Sequence, residues 1–294
     1  MIPEIIFKQI KKYNKNDEKV FNKIFFEKSF FEKNLSDDGL HNIKFDKSLY
    51  NFEIITKDII EEITNQKFDC DLEDIHKYID KDFIDLIEDG LTTRLQYIFY
   101  EYVQRFTEVY IEFLKKTIRP TIKQDFYFQK KPTFRIFFPN PNWKLFTKPF
   151  YHSDVFLGHP LEMINIWFPI TKSYGSNSIA YTDLNLSKKL YNESNCNFVN
   201  FYNKYYEQDS KLYDELFSNL KTFDSRYGEL MYFDSRCLHG TSQNQTEITR
   251  ISIDFRIIPV HEYENFKISY SGTGRMQMQM NLGNYYSLRS IDEY

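Results

Sequence analysis

The run TRISIDFRII at residues 249–258 alternates its side chains with a period of two. Successive residues of an extended chain point to opposite sides, so Arg250, Ser252, Asp254 and Arg256 share one face and Ile251, Ile253, Phe255 and Ile257 the other. Two readings of the polar face stand open. It is the solvated side of an ordinary amphipathic strand, or it turns into a barrel to meet a ligand while the apolar side packs under helices. Four further aromatic and β-branched runs precede it: TFRIFF (133–138), EMINIWFPI (162–170), NSIAYT (177–182) and ELMYFD (229–234). The segments NPNW, GHP, YGSN and GTSQNQ between them carry turn-forming chemistry. Short strands at this spacing predict a mainly β molecule with a barrel or jelly-roll core.

Upstream the period changes. From residue 55 to 118 apolar side chains recur at helical spacing, as in Leu95, Ile98, Phe99, Tyr102, Val103, Phe106, Val109, Tyr110 and Phe113, and Arg119-Pro120 is expected to end the helices. The expected organisation is a helical region over 1–120 packed on a catalytic core over 121–294, one catalytic domain overall. An insert over 184–226, polar and partly helical in period, suits a cover for the barrel mouth. Residues 261–294 read as an irregular tail with Gly272, Gly274 and Gly283, and the Lys/Asn-rich stretch 11–47 as a loosely structured surface.

Bulk composition removes several classes of function. The 38 basic and 42 acidic residues leave a formal charge of -4, no field for nucleic acid or an anionic membrane. The three cysteines, Cys70, Cys196 and Cys237, lie far apart and form no CxxC pair, which fits a reducing cytoplasm better than a disulfide framework or zinc cage. The start MIPEIIFKQIKKYNKNDEK turns charged too soon for a signal peptide, and no later stretch approaches the roughly 20 apolar residues of a membrane span.

Chemistry concentrates in Tyr151-His152-Ser153-Asp154, where side chains two apart on an extended chain could chelate one ion. His239, in FDSRCLHGTSQN after ELMYFD, offers a second imidazole. Two imidazoles and a carboxylate on one face of a metal leave positions open for oxygen and a chelating cosubstrate, the arrangement of non-haem Fe(II) oxygenases. An HxD alone arises easily by chance. Its weight comes from Arg250-Ile251-Ser252, whose arginine falls eleven positions after His239. A guanidinium grips a carboxylate through two parallel hydrogen bonds, and Ser252 faces the same way.

That order of motifs resembles the Fe(II)/2-oxoglutarate dioxygenase superfamily, whose fold is a double-stranded β-helix. The segments YHSDVFLGHPLEMINIWFPITKSYGSNSIAY and GELMYFDSRCLHGTSQNQTEITRISIDFRIIP resemble, more narrowly, the phytanoyl-CoA dioxygenase-like group and its StrG-like branch. The likeness covers about residues 133–285, and residues 1–120 match nothing nameable. It implies His152, Asp154 and His239 as ligands and catalytic centre of Fe(II), with Arg250 on the far carboxylate of 2-oxoglutarate and Ser252 assisting. It implies hydroxylation of a small polar metabolite in biosynthesis, consuming O2 and releasing succinate and CO2. Asp154 stands where related halogenases carry glycine or alanine, so the carboxylate is kept and chlorination is disfavoured.

Asn165 and Trp167 alternate with Ile164, Ile166 and Phe168 and either line the cosubstrate pocket or serve packing alone. Arg135 meets an anionic substrate or pairs with an acid; Arg256 binds substrate or braces Asp254, bracing preferred. His159 reads as a loop residue, His41, His76 and His261 as surface, and Cys237 as packing beside the ligand. Two other functions compete. A cupin-like metalloenzyme without 2-oxoglutarate would share the triad but has no use for Arg250, and a noncatalytic carbohydrate-binding jelly roll would bind no Fe(II). The expected partner is a small molecule, without nucleic acid or membrane, and the helices of 55–118 either cover the barrel or form the face of a homodimer.

Overall fold

The computed structural model describes residues 22, 25–87, 92–139, 151–157, 159–206, 210–269 and 281–294. NPNW at 140–143 and the tail glycines Gly272 and Gly274 lie outside the described residues, as do residues 1–21, 23 and 24. The strands are β1 (Leu40–Lys44), β2 (Phe126–Phe128), β3 (Thr133–Phe137), β4 (Ile164–Pro169), β5 (Ala180–Tyr181), β6 (Lys221–Thr222), β7 (Glu229–Asp234), β8 (His239–Gly240) and β9 (Arg250–Pro259).

The main sheet runs β1-β7-β4-β9, and the far edge of β9 is shared by two strands. Antiparallel β3 pairs with Arg250–Asp254, and β2 with Ile257–Pro259. Gln129 fills the step between them: its amide N–H donates to the Arg256 carbonyl at 2.8 Å, and its side-chain amide donates to the Lys131 carbonyl at 2.7 Å. A smaller sheet, β6-β5-β8, faces the first. Trp167, Met231 and Phe233 from the main sheet meet Ile179, Tyr181 and Phe223 in a buried layer between the two. Two facing antiparallel sheets make the double-stranded β-helix, or jelly roll, expected from the strand pattern.

The outer face of the main sheet carries Phe134, Ile136, Ile164, Ile166, Phe168, Leu230, Tyr232 and, from β9, Ile251, Ile253, Phe255 and Ile257, all buried under helices. These include α2 (Phe52–Thr64), α3 (Arg94–Phe99) and α4 (Thr107–Phe113). Rings carry much of the contact: Tyr110 packs edge-on against Phe255 at 5.1 Å, and Phe113 lies 5.1 Å from Phe168. The helices therefore cover the barrel. They do not stop at Arg119-Pro120; a π turn over Leu114–Ile118 leads directly into Arg119–Ile122, so the helical run passes Pro120 by way of a local change in winding. The chain leaves the helix at Lys123, in the left-handed region at φ 60°.

Of the stretch 11–47, the described residues 25–47 are more ordered than expected. Ser29 caps α1 (Phe30–Asn34) in a capping box with Glu32, and β1 adds an edge strand against β7. Charged, partly exposed residues hide such a strand in the sequence, and they also protect a sheet edge from further pairing. The insert folds into α5 (Leu184–Glu193), α6 (Phe198–Tyr206) and α7 (Lys211–Asn219), then supplies β6 to the smaller sheet. Its buried residues Leu190, Tyr191, Phe201, Tyr202, Leu212 and Leu216 pack on Tyr151, Val155, Phe156 and Leu238, which flank the HxD segment and His239.

Candidate metal centre

His152 and His239 meet across an isolated antiparallel bridge. Each backbone N–H donates to the other's carbonyl, at 3.0 and 2.9 Å, and the rings sit 4.6 Å apart. β8 hangs on β5 through Tyr181 opposite His239, so the smaller sheet fixes both imidazoles. Asp154 is not on an extended strand with His152 but opens the 3-10 turn Asp154–Leu157. The turn carries its carboxylate toward both rings: Oδ1 lies 3.4 Å from His152 Nε2 and 3.6 Å from His239 Nε2. The three ligand atoms fall within 4.8 Å of one another.

The environment selects the ligating forms. His239 Nδ1 lies 2.9 Å from the Cys237 carbonyl, so it carries the proton and donates, leaving the Nε2 lone pair toward Asp154. Burial, reinforced by the neighbouring His152, pushes the His239 imidazole down to about 4 and keeps it neutral. Burial alone would favour a neutral Asp154, but the Arg256 charge and the surrounding histidines outweigh it and hold the carboxyl well below its usual range. Asp154 Oδ1 is buried without a hydrogen-bond partner among the described residues. An ionised oxygen in that position, with the Nε2 atoms of two imidazoles 3.4 and 3.6 Å away, suits a bound cation. The donor set, two imidazoles and one carboxylate, fits Fe(II).

Arg250, unlike Asp154, which Arg256 faces, has no oppositely charged partner among the described residues. It is buried, with Nε donating to the Asn177 carbonyl at 2.8 Å and Nη1 to Ser252 Oγ at 2.5 Å. Its guanidinium carbon sits 5.0 Å from the Phe137 ring centroid and 5.9 Å from that of Trp167. Among the described residues no carboxylate pairs with it, and burial, with the nearby Arg135 charge, lowers it to about 9. Such a cation is costly unless a ligand brings the anion. Ser252 accepts from Arg250 and keeps its own hydrogen to donate.

Asn165 stands between Phe233 and Arg256 on β4, and both atoms of its buried amide lack hydrogen-bond partners among the described residues. Trp167 lies in the layer between the sheets, edge-on to Phe223 at 5.9 Å. Arg135 is half-exposed and reaches Asp254 at 3.3 Å. Arg256 meets Asp254 Oδ2 at 2.6 Å and also reaches Asp154 Oδ2, with Nε at 3.3 Å and Nη2 at 3.4 Å.

His159 is a loop residue, as expected, but not an exposed one. It is buried beside Asp154, near Tyr285, and burial drives its imidazole to about 4. Nor is His76 wholly at the surface; it is half-buried, and its Nδ1 pairs with Thr249 Oγ1 at 2.9 Å. Another feature without an outward sign in the sequence is Arg236. Fully buried, it holds Asp234 bidentately at 2.8 and 2.8 Å and reaches Glu32 at 2.5 Å. Its carbonyl accepts from Ser153, between the two HxD ligands, at 2.5 Å. The apolar neighbours in FDSRCLH were the available signal that this arginine is internal.

No family model matches the chain. Among curated proteins, the streptomycin biosynthesis protein StrG of Streptomyces griseus is 24% identical over 217 residues, 72% of this chain and 83% of StrG. Among solved structures, the non-heme alpha ketoglutarate dependent carbocyclase SnoK from nogalamycin biosynthesis aligns over 78% of this chain and 81% of its own, with TM-score 0.42 and 11% identity. EctD from S. alaskensis with bound Fe aligns over 80% and 78%, with TM-score 0.42 and 10% identity.

Proposed function

We propose that this chain, which resembles the StrG-like branch of the Fe(II)/2-oxoglutarate dioxygenase superfamily along most of its length, is an Fe(II)- and 2-oxoglutarate-dependent oxygenase. Its substrate is a small polar metabolite, hydroxylated in a biosynthetic pathway. One observation carries the proposal: the same barrel buries a carboxylate oxygen facing two imidazoles and an arginine lacking a carboxylate partner among the described residues. A divalent cation answers the first and a dicarboxylate the second.

His152 Nε2, His239 Nε2 and Asp154 Oδ1 would hold the iron. Arg250 would bind the far carboxylate of 2-oxoglutarate as a bidentate donor, Ser252 Oγ would add a third hydrogen bond, and Phe137 and Trp167 would flank the guanidinium. The Asn165 amide offers further contacts to the cosubstrate. Once bound, iron and 2-oxoglutarate supply the activation of O2, with succinate and CO2 as the by-products. The protein's share is placement and exclusion of water, and the insert over 184–226 would act as the lid. The retained Asp154 carboxylate favours transfer of oxygen over halide, and StrG, a streptomycin biosynthesis protein by name, favours a metabolite over a macromolecule.

Anaerobic titration tests this. The wild type should develop a visible charge-transfer absorption only when Fe(II) and 2-oxoglutarate are both present, and His239→Ala and Arg250→Ala should each abolish it. Succinate release across a panel of metabolites would then identify the substrate. Metal binding without any response to 2-oxoglutarate would turn the assignment to a cupin-like metalloenzyme, for which Arg250 has no task. No Fe(II) binding would leave a noncatalytic jelly roll.

A further inference from the structure

We propose that Arg256 is a positioning residue that decides which oxygen of Asp154 faces the metal; the inference rests on the metal-centre reading above. The two oxygens of this carboxylate have different surroundings. Oδ1 looks toward the imidazoles at 3.4 and 3.6 Å, and Oδ2 is held by two nitrogens of one guanidinium, at 3.3 and 3.4 Å.

Arg256 is itself anchored. Its Nη1 donates to Asp254 Oδ2 at 2.6 Å, and the other oxygen of Asp254 meets Arg135 Nε at 3.3 Å. Its backbone is fixed on both sides of β9, opposite Asn165 on β4 and bonded through its carbonyl to Gln129. The result is a chain of alternating charge, Arg135–Asp254–Arg256–Asp154, that runs along the polar face of β9 to the metal ligand.

The consequence follows from coordination chemistry. A facial triad must leave three positions open, two for a chelating cosubstrate and one for oxygen. The terminal torsion of an aspartate is soft, and a carboxylate free at both oxygens can take a metal in two-point fashion and use one of those positions. A planar fork on Oδ2 opposes that rotation, which the point charge of a lysine does less well. Arg256 therefore acts through Asp154, and its task is to keep that carboxylate a one-point ligand.

Cobalt(II) in place of iron reports this without turnover, because its ligand-field absorption follows coordination number. Arg256→Gln is expected to shift those bands and to weaken Co(II) binding by about 10–100-fold, the usual effect of losing an outer partner of a metal ligand. The affinity of the Co(II) form for 2-oxoglutarate should fall with it, and Arg256→Lys should restore only part. Asp254→Asn loosens the guanidinium without touching Asp154, so it should move the same bands less far. Should Arg256→Gln fail to fold, Asp254→Asn alone decides. Wild-type Co(II) spectra and affinity in every folded variant of the two would overturn the proposal while leaving the triad standing. If the wild type bound no Co(II), or bound it equally after His239→Ala, the metal-centre reading itself would fall, and this proposal with it.

Discussion

Arg250 buries a charge that no described carboxylate pairs with, and Asp154 buries one oxygen, Oδ1, without a hydrogen-bond partner among the described residues. Charge-assisted hydrogen bonds are worth about 1.5–3 kcal/mol each, so Arg250→Ala, which removes a bidentate pair, should weaken 2-oxoglutarate binding by at least ~100-fold. Calorimetric titration of the anaerobic metal-loaded protein checks it; unchanged affinity would remove Arg250 from the cosubstrate site. The histidines give a pH prediction. His239 and His159 are held neutral by burial, each at about 4, against about 6.5 in an unfolded chain. Between those values the unfolded state binds protons that the folded state refuses. Stability of the metal-free protein should therefore be full above pH 6.5 and fall as pH drops toward 4, by up to roughly 1.4 kcal/mol per pH unit for each group. Denaturant melts at several pH values would show the slope, and His159→Asn should flatten it. His152, Asp154, His239 and Arg250 were legible in the sequence because their spacing is itself chemical information. His159 was not, since a histidine in a GHP turn has no periodicity to place it.

At the scale of the element, β9 does two tasks with its two faces. Arg250, Ser252, Asp254 and Arg256 enter the barrel, and Ile251, Ile253, Phe255 and Ile257 pack beneath the helices, so the inward reading of the polar face prevails. Phe255 is fully buried against Tyr110 and Phe113. Truncation to alanine should cost about 3–5 kcal/mol through lost burial and the cavity it leaves. The expected observation is a lower denaturation midpoint with an unchanged denaturant slope, and a shift no larger than that of a surface substitution would contradict the packing. Strands β3, β4, β7 and β9 were readable from alternation and aromatic content. β1, β6 and β8 were not: β6 and β8 have two residues each, and β1 presents a charged, partly exposed edge. Pairing with a neighbour, rather than local preference, makes them strands.

Across the whole molecule, the stretch before the first recognisable helix is tied to the metal centre. Glu32 accepts from Arg236 at 2.5 Å and from Lys188 of the insert at 2.8 Å, joining α1, the loop before His239 and α5. Glu32→Ala would strip one anion from a buried arginine that keeps Asp234. The expected cost is of order 1–3 kcal/mol, below the 3–5 kcal/mol for breaking a buried pair outright. Fe(II) affinity should fall along with the melting temperature, and a variant with unaltered stability would show that the tie carries no weight. The strand-rich core, the helical cover and the residue types at the candidate centre can be read from the chain in one dimension, because periodicity and motif spacing are properties of that order. That the polar face of β9 looks inward, that Arg256 reaches Asp154 and that Arg236 closes a network across residues 25–236 emerges on folding. Those contacts join groups as far as 211 positions apart, and where a charge finds its partner depends on which surfaces the packed sheets bring together.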